Sequence, residues 1–430
     1  MLIGLFLVLL LLILFGVPVL LAIGAIALGG ILIVPDLVPA MFPQKMFTML
    51  DSFSLLAMPY FILAGELMSK GGISKRLIEF SETVVGHLRG GLGMAAVVAS
   101  MVFAGVSGSS TADTSAIGSI LIPSMKEKGY KPGFAASLLA TAGTIGPIIP
   151  PSMTMIVYGS MAGVSIGGLF LGGIIPGALI GAGLMITIYL HSFSSKFPEL
   201  RQTTGKFEVM AIIKATGRVW LALIAPLIIL GGILGGVFTA TEAGVVACFY
   251  SFIVTFFVYR SVSFRELPKI LVDAAVTTTM VVGIISVAGA FGWLLAYLDF
   301  NEIVLTMLMS ISSTPIIVLL VLLATMLFLT MFVESLAILI IFVPVAVFVS
   351  KQFGFDQYYF GLLMVMATQI GATTPPVAVL LFVATSLAET SYDQTIRYCL
   401  PFIATLIAVL LLVVFFPGLV AWIPNHFLGP

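Results

Sequence analysis

Charge is what this sequence has least of. Only 8% of its 430 residues are Asp, Glu, Lys or Arg, against 60% hydrophobic, and the formal net charge is zero. Soluble domains carry about 25% charged residues, so a large soluble enzyme is excluded and an integral membrane protein is expected. A balanced charge also argues against nucleic acid as a partner. Cysteine is nearly absent: Cys248 and Cys399 both lie in apolar stretches, where packing is expected rather than a disulfide. The three histidines, His87, His191 and His426, are scattered, so no structural metal cluster is suggested. No GxxxxGK followed by Ser or Thr occurs, which leaves an ion gradient rather than a nucleotide as the energy source. No basic region precedes the apolar residues 2–33, so a retained first span is expected rather than a cleaved signal.

What is present is a pair of breaks. Residues 140–151 read ATAGTIGPIIPP and residues 365–376 read VMATQIGATTPP, each inside an apolar stretch long enough to cross a bilayer. They share Ala142/Ala367, Ile145/Ile370, Gly146/Gly371, Pro150/Pro375 and Pro151/Pro376. A helix cannot run unbroken through Pro-Pro, because proline lacks the N–H donor and clashes with the preceding turn. Freed backbone groups persist at membrane depth only where they line a cavity or face protein. Matching breaks in two halves point to the binding site of a secondary transporter.

At about 20 apolar residues per span, full spans are expected near 2–33, 53–69, 133–162, 168–191, 219–238, 243–259, 270–297, 357–388 and 395–423. Residues 91–125 and 303–349 each hold two shorter arms around a polar centre, GVSGSSTAD (105–113) and FLTMFVES (328–335), and read as re-entrant hairpins. The fold expected is thus an all-α polytopic membrane protein with inverted repeats. It has about nine full spans, two of them broken helices, besides the two hairpins. With the N-terminus cytoplasmic and the C-terminus periplasmic, sixteen of the eighteen Lys and Arg fall inside, and only Lys45 and Lys351 outside. That is a strong positive-inside bias. Four segments follow: 1–90, early spans and an amphipathic interfacial helix at 73–89; 91–192, the first hairpin, its broken helix and the next span; 193–297, connecting spans; and 298–430, the second hairpin, its broken helix and the last span.

The repeat extends beyond the prolines. Pro176 and Pro401 each lie 25 residues after the second proline of their pair. Upstream, with a four-residue gap, Pro123 matches Pro344, Asp113 matches Glu334, and Ser109 matches Thr330. Ser107, Gly108, Ser109, Ser110 and Thr111 crowd the first tip, with Gly143, Thr144 and Gly146 at its break. Thr330, Glu334 and Ser335 stand at the second tip, with Gln369, Gly371, Thr373 and Thr374 at its break. Hydroxyls and unwound carbonyls are oxygen ligands for a hard cation, and half-helix N-termini offer N–H groups to an anion. Small residues alone would also permit tight helix packing. Ser110-x-x-Asp113 fits a capping box as well as it fits ion binding, whereas Glu334 has no such box and a carboxylate at bilayer depth is functional by default. Glu242, in the turn TATEAG, is expected to cap the span that follows. No Lys or Arg lies in a tip or break.

The tip GVSGSSTAD, the break GTIGPIIPPS, the turn GGILGGVFTATEAG (231–244) and the break ATQIGATTPP together resemble the large membrane subunit of tripartite ATP-independent periplasmic (TRAP) transporters, along essentially the whole chain. The resemblance implies an ion-transporter-superfamily fold with a scaffold and an elevator domain, in a bacterial inner membrane. It implies sodium-driven import of an organic acid such as a C4-dicarboxylate or a sialic acid, the latter being the single expectation here. A periplasmic binding protein would deliver the solute and a small four-span membrane subunit would complete the permease. Carried over, one sodium site would lie at Ser107, Ser109 and Asp113 with Gly143 and Gly146, and a second at Thr330 and Glu334 with Gly371. Substrate would sit near Ser110, Thr144, Ser152 and Thr373. The closest rival is a self-sufficient sodium/dicarboxylate symporter with no binding protein.

Overall fold

The computed structural model describes residues 2–203, 205 and 207–428, so Lys206, one of the residues assigned above to the cytoplasmic side, lies outside the described residues. Among those described the regular structure is entirely helical. The first apolar stretch is not one span. It forms α1 (Leu2–Leu14) and α2 (Val19–Ile33), separated by Gly16 at φ +79° and by Pro18 before α2. A Cβ on Gly30 would stand 3.6 Å from Leu5, so α1 folds back along α2. Residues 2 and 33 therefore lie toward the same end, and the single crossing from which the termini were assigned sides does not form.

The chain continues through α3 (Met41–Leu50) and α4 (Ala57–Lys70), which meet at a sharp bend of 64°, into the amphipathic α5 (Ile73–Val85). Ile73 and Leu77 are buried on one face of α5, which ends at Val85 rather than at 89, so that Leu88 lies beyond the helix and is exposed. The first hairpin is α6 (Gly91–Ser107) and α7 (Ser110–Glu127), followed by the broken pair α8 (Pro132–Gly143) and α9 (Met153–Ala162), then the long α10 (Ile166–His191). Two further long helices follow, α11 (Val209–Leu234) and α12 (Ala240–Ile253). The expected cap on α12 is present: Thr239 Oγ1 accepts from Glu242 N, and Glu242 Oε2 accepts from Thr239 N at 2.8 Å.

The second half repeats the first. It runs α13 (Leu267–Tyr297), α14 (Phe300–Ile311), the hairpin α15 (Pro315–Thr330) and α16 (Ser335–Phe353), the broken pair α17 (Gln357–Gly371) and α18 (Val379–Ala388), then α19 (Tyr392–Phe415) and α20 (Gly418–Leu428). The second hairpin thus begins at Pro315 rather than 303. α14 is a separate helix, turned 117° from α15, in the place α5 holds in the first repeat. Pro315 at the first helical position explains the restart, since its missing N–H is one that a helix start leaves free anyway.

Among the described residues, six helices are long and apolar enough to cross a membrane, or eight if each bent pair is one span; the short halves of the two broken helices fall outside that count. The broken spans expected at 133–162 and 357–388 each form two short helices, whereas 2–33, expected as one span, is a helical hairpin. Cys248 and Cys399 are unpaired, as their setting suggested.

The repeats interlock. α9 packs on α16 and α17, and α18 packs on α7 and α8, so each hairpin is braced by the far half of the other repeat's broken helix. Lys126 on α7 bonds the Ala388 carbonyl at 3.2 Å and pairs with Glu389 at 3.4 Å, closing α7 onto the end of α18.

Candidate functional site

Each hairpin tip is tied to the unwound segment that follows it in its own repeat. At the first, Gly108 takes φ +63°, a conformation that glycine adopts without strain, and its carbonyl accepts from Met153 N at 3.4 Å. A side chain there would collide with the Pro151 carbonyl and stand 3.2 Å from Ser152 Cα. At the second, the Met331 carbonyl accepts from Val377 N and Ala378 N, both at 3.2 Å. Met153 and Ala378 stand two residues after the second proline of their pairs, so one backbone bridge occurs in both repeats.

Around the first tip the structure gathers Ser107, Ser109, Ser110, Asp113, Gly143 and Gly146. Asp113 is fully buried on α7. The Ser107 hydroxyl donates to its Oδ1, while its Oδ2 is buried with no hydrogen-bond partner. A Cβ on Gly146 would land on that same oxygen. The capping box expected of Ser110 and Asp113 does not form. Ser109 is the cap, accepting from Ala112 N, which leaves Asp113 one turn inside α7 with its carboxylate turned to the break. Negative charge in the first turn of a helix is favoured by the macrodipole, by at most about 2 kcal/mol. That is less than the several kcal/mol that an unpaired buried charge costs. An acid oxygen with no protein partner, enclosed by hydroxyls and open backbone, suits a small hard cation.

Around the second tip the structure brings Thr330 against Gly371. A Cβ on Gly371 would land on Thr330 Oγ1 and lie 2.5 Å from the Leu327 carbonyl. Glu334, however, is exposed and caps α16, its Oε2 accepting from Ala337 N at 2.9 Å. It therefore does not occupy the place of Asp113, as the proline-based match had it. Ser109 and Glu334 are the two caps, and Ser107 and Thr330 both end the first arm of their hairpin.

The four residues assigned to substrate are all buried. Three turn their hydroxyls to the chain: Thr144 to Thr141 O at 2.6 Å, Ser152 to Pro147 O at 2.5 Å, and Thr373 to Ile370 O at 2.8 Å. Ser110 contributes its carbonyl, which accepts from Thr114 Oγ1. Among the described residues no hydrogen bond joins Thr373 to the other three. Two residues left out of the candidate ligands now stand beside them. Thr114 packs its hydroxyl where a Cβ on Gly143 would fall. Gln369 is buried, donates to Ser335 Oγ at 3.3 Å and has Oε1 unpartnered. Its place in the second break was the available signal.

A family profile described as "Tripartite ATP-independent periplasmic transporter, DctM component" matches residues 6–419. An isethionate TRAP transporter permease protein of Oleidesulfovibrio alaskensis is 38% identical, over 96% of this chain and 64% of its own longer one. A C4-dicarboxylate TRAP transporter large permease of Pseudomonas aeruginosa is 37% identical, over 93% of this chain and 92% of its own. A sialic acid TRAP transporter large permease of Vibrio cholerae is 33% identical over 90% of each chain. These relatives are named as transporter permeases and not as enzymes. Backbone breaks, orphaned acid and long identity agree, and the chain belongs to the DctM family of large TRAP transporter permeases.

Proposed function

We propose that the chain is the transport subunit of a sodium-driven importer of a small organic acid in the bacterial inner membrane. A periplasmic binding protein would deliver the solute, and a small membrane subunit would complete the permease. The observation that carries this reading is the buried Asp113 carboxylate with one oxygen unpartnered at a helix break. A cation bound by Asp113, the Ser107 and Ser109 hydroxyls and the carbonyls of the Gly143–Gly146 break would complete that acid. A second cation would be held by the Thr330 hydroxyl and the open backbone at Gly371, with Glu334 at its rim. With no Lys or Arg at either tip, an anionic solute is left to backbone N–H groups, hydroxyls such as Ser110, Thr144, Ser152 and Thr373, and the bound cations.

Transport is read as an elevator movement. The interlock of α9 with the second hairpin and of α18 with the first favours carriage of both tips as one body. Close approach to the scaffold occurs at glycine, where a Cβ on Gly65 of α4 would lie 3.4 Å from Ser107 Cα. Relatives named for a C4-dicarboxylate, a sialic acid and isethionate share comparable identity with this chain, which supports an organic acid as the solute class, with sialic acid one member of it.

Labelled sialic acid and C4-dicarboxylate uptake into proteoliposomes, with the small subunit present, tests the whole reading. Uptake requiring both an inward sodium gradient and the binding protein is expected. Uptake driven by the gradient alone would make this a self-sufficient symporter. A narrower test concerns Glu334. Glu334→Ala should keep the protein inserted, with a stability loss of about 1 kcal/mol from the missing cap. It should lower coupled uptake by roughly tenfold or more if the carboxylate also holds the ion. Unchanged uptake would leave Glu334 as a cap alone.

A further inference from the structure

A cleft of about 500 Å³ opens between the C-terminal end of α10 and the first turns of α19, away from both tips and breaks. We infer that it holds the phosphate headgroup of an anionic phospholipid. Lys196, on the loop after α10, and Arg397, on α19, are both exposed on its wall. Among the described residues neither cationic group has an acidic or hydrogen-bond partner, and the one ion pair, Lys126 to Glu389, lies elsewhere. Asp393 stands one turn before Arg397 and pairs with neither. The site is held in shape from below. Lys131 donates to the Lys196 carbonyl at 2.7 Å and lies over the Phe197 and Tyr398 rings at 5.1 and 5.9 Å. The His191 ring packs against Phe197 and, through Nδ1, bonds the Thr187 carbonyl at 2.8 Å.

What selects a lipid over a soluble anion is the adjoining surface. Leu190, on the cleft wall, is 63% exposed; Ile186, one turn before it on α10, and Leu400, next to the lining Pro401 on α19, are 59% and 58% exposed. Unpaired cations bordering bare aliphatic surface match a phosphate joined to acyl chains, and basic pockets between membrane helices are known places for acidic headgroups. A soluble phosphate would use the cations and leave the aliphatic strip idle.

The full chain, purified in detergent and stripped of lipid, is titrated with phosphatidylglycerol, phosphatidylcholine or inorganic phosphate while its thermal unfolding midpoint is followed. Phosphatidylglycerol alone should raise the midpoint. In Lys196→Gln/Arg397→Gln its half-saturation should weaken by roughly tenfold or more, two surface cations being removed, while Lys269→Gln should match the wild type. An equal response in the double variant would overturn the site. Inorganic phosphate or phosphatidylcholine matching phosphatidylglycerol would overturn the anionic lipid as occupant. If the double variant does not fold, the single variant Lys196→Gln, with lipid retained through purification counted by mass spectrometry, decides. It should retain less phosphatidylglycerol than wild type, and equal retention overturns the proposal.

Discussion

Asp113→Asn should reduce sodium-coupled uptake by about a hundredfold, as the loss of about 3 kcal/mol of ion binding would, while leaving the folded protein at least as stable when sodium is withheld. The two halves of that outcome come from one geometry. Asn has nearly the size and shape of Asp, so the buried space against Gly146 stays filled. It removes a negative charge for which the chain supplies one hydroxyl donor, from Ser107, and no partner at Oδ2. Without a cation that charge is a cost to the folded state, several kcal/mol in a dry interior. With sodium bound it becomes the strongest single ligand. Wild-type protein should therefore gain thermal stability as sodium is added, by roughly 2.7 kcal/mol at a hundred times the dissociation constant, and Asp113→Asn should gain far less. The measurement is a sodium titration of the unfolding midpoint beside the uptake assay. A variant that keeps both the sodium-dependent stabilisation and near-normal uptake would remove Asp113 from ion binding.

How far such a site can be read from sequence depends on whether the signal is a local backbone rule or a register. The breaks were legible because Pro-Pro forbids a continuing helix wherever it falls, and α9 and α18 do restart two and three residues past their prolines. The matching of the two breaks was legible for the same reason, and Met153 and Ala378 making the same bridge to their tips supports that register. Upstream of the breaks, proline was the wrong ruler. Pro123 and Pro344 lie inside their helices, but the start of each helix is set by its own cap. Ser109 lies fourteen residues before Pro123, and Glu334 ten before Pro344. The first helix is one turn longer at its start, and that turn carries Asp113 inward while leaving Glu334 at the rim. The folded-back α1 and α2 were missed because hydropathy sums apolar length and is blind to direction. Gly16 and Pro18 were the available signal. The α14 helix was absorbed into a hairpin arm because its residues are as apolar as a span, although Pro315 marked the new start.

Gly371→Ala should cost more than an alanine in a helix has any intrinsic reason to cost. Helix propensity alone favours Ala over Gly by about 1 kcal/mol, so a destabilisation must come from what the methyl meets. It would land on Thr330 Oγ1, 2.5 Å from the Leu327 carbonyl and 2.9 Å from Thr330 Cβ. The hydroxyl cannot simply swing away, because it is buried and donates to the Met326 carbonyl at 2.8 Å. The Leu327 carbonyl is helix backbone and cannot move alone. α15 must then back off α17 as a unit, and it carries Met331, whose carbonyl holds the tip to Val377 and Ala378. Overpacking of this kind costs about 1–3 kcal/mol. Here the displaced element is the proposed second ion site, so uptake should fall below what the lost stability alone explains. Gly231→Ala on α11, with nothing within 4 Å of the added methyl, should be neutral or slightly stabilising. Adding Thr330→Ala to Gly371→Ala should recover part of the stability by removing the hydroxyl that the methyl strikes. It should not recover coupled uptake, because that hydroxyl is the proposed ligand. Recovery of both would make the Gly371–Thr330 contact a matter of packing alone. Wild-type stability and uptake in Gly371→Ala would mean that α15 and α17 do not hold this close approach in the working protein.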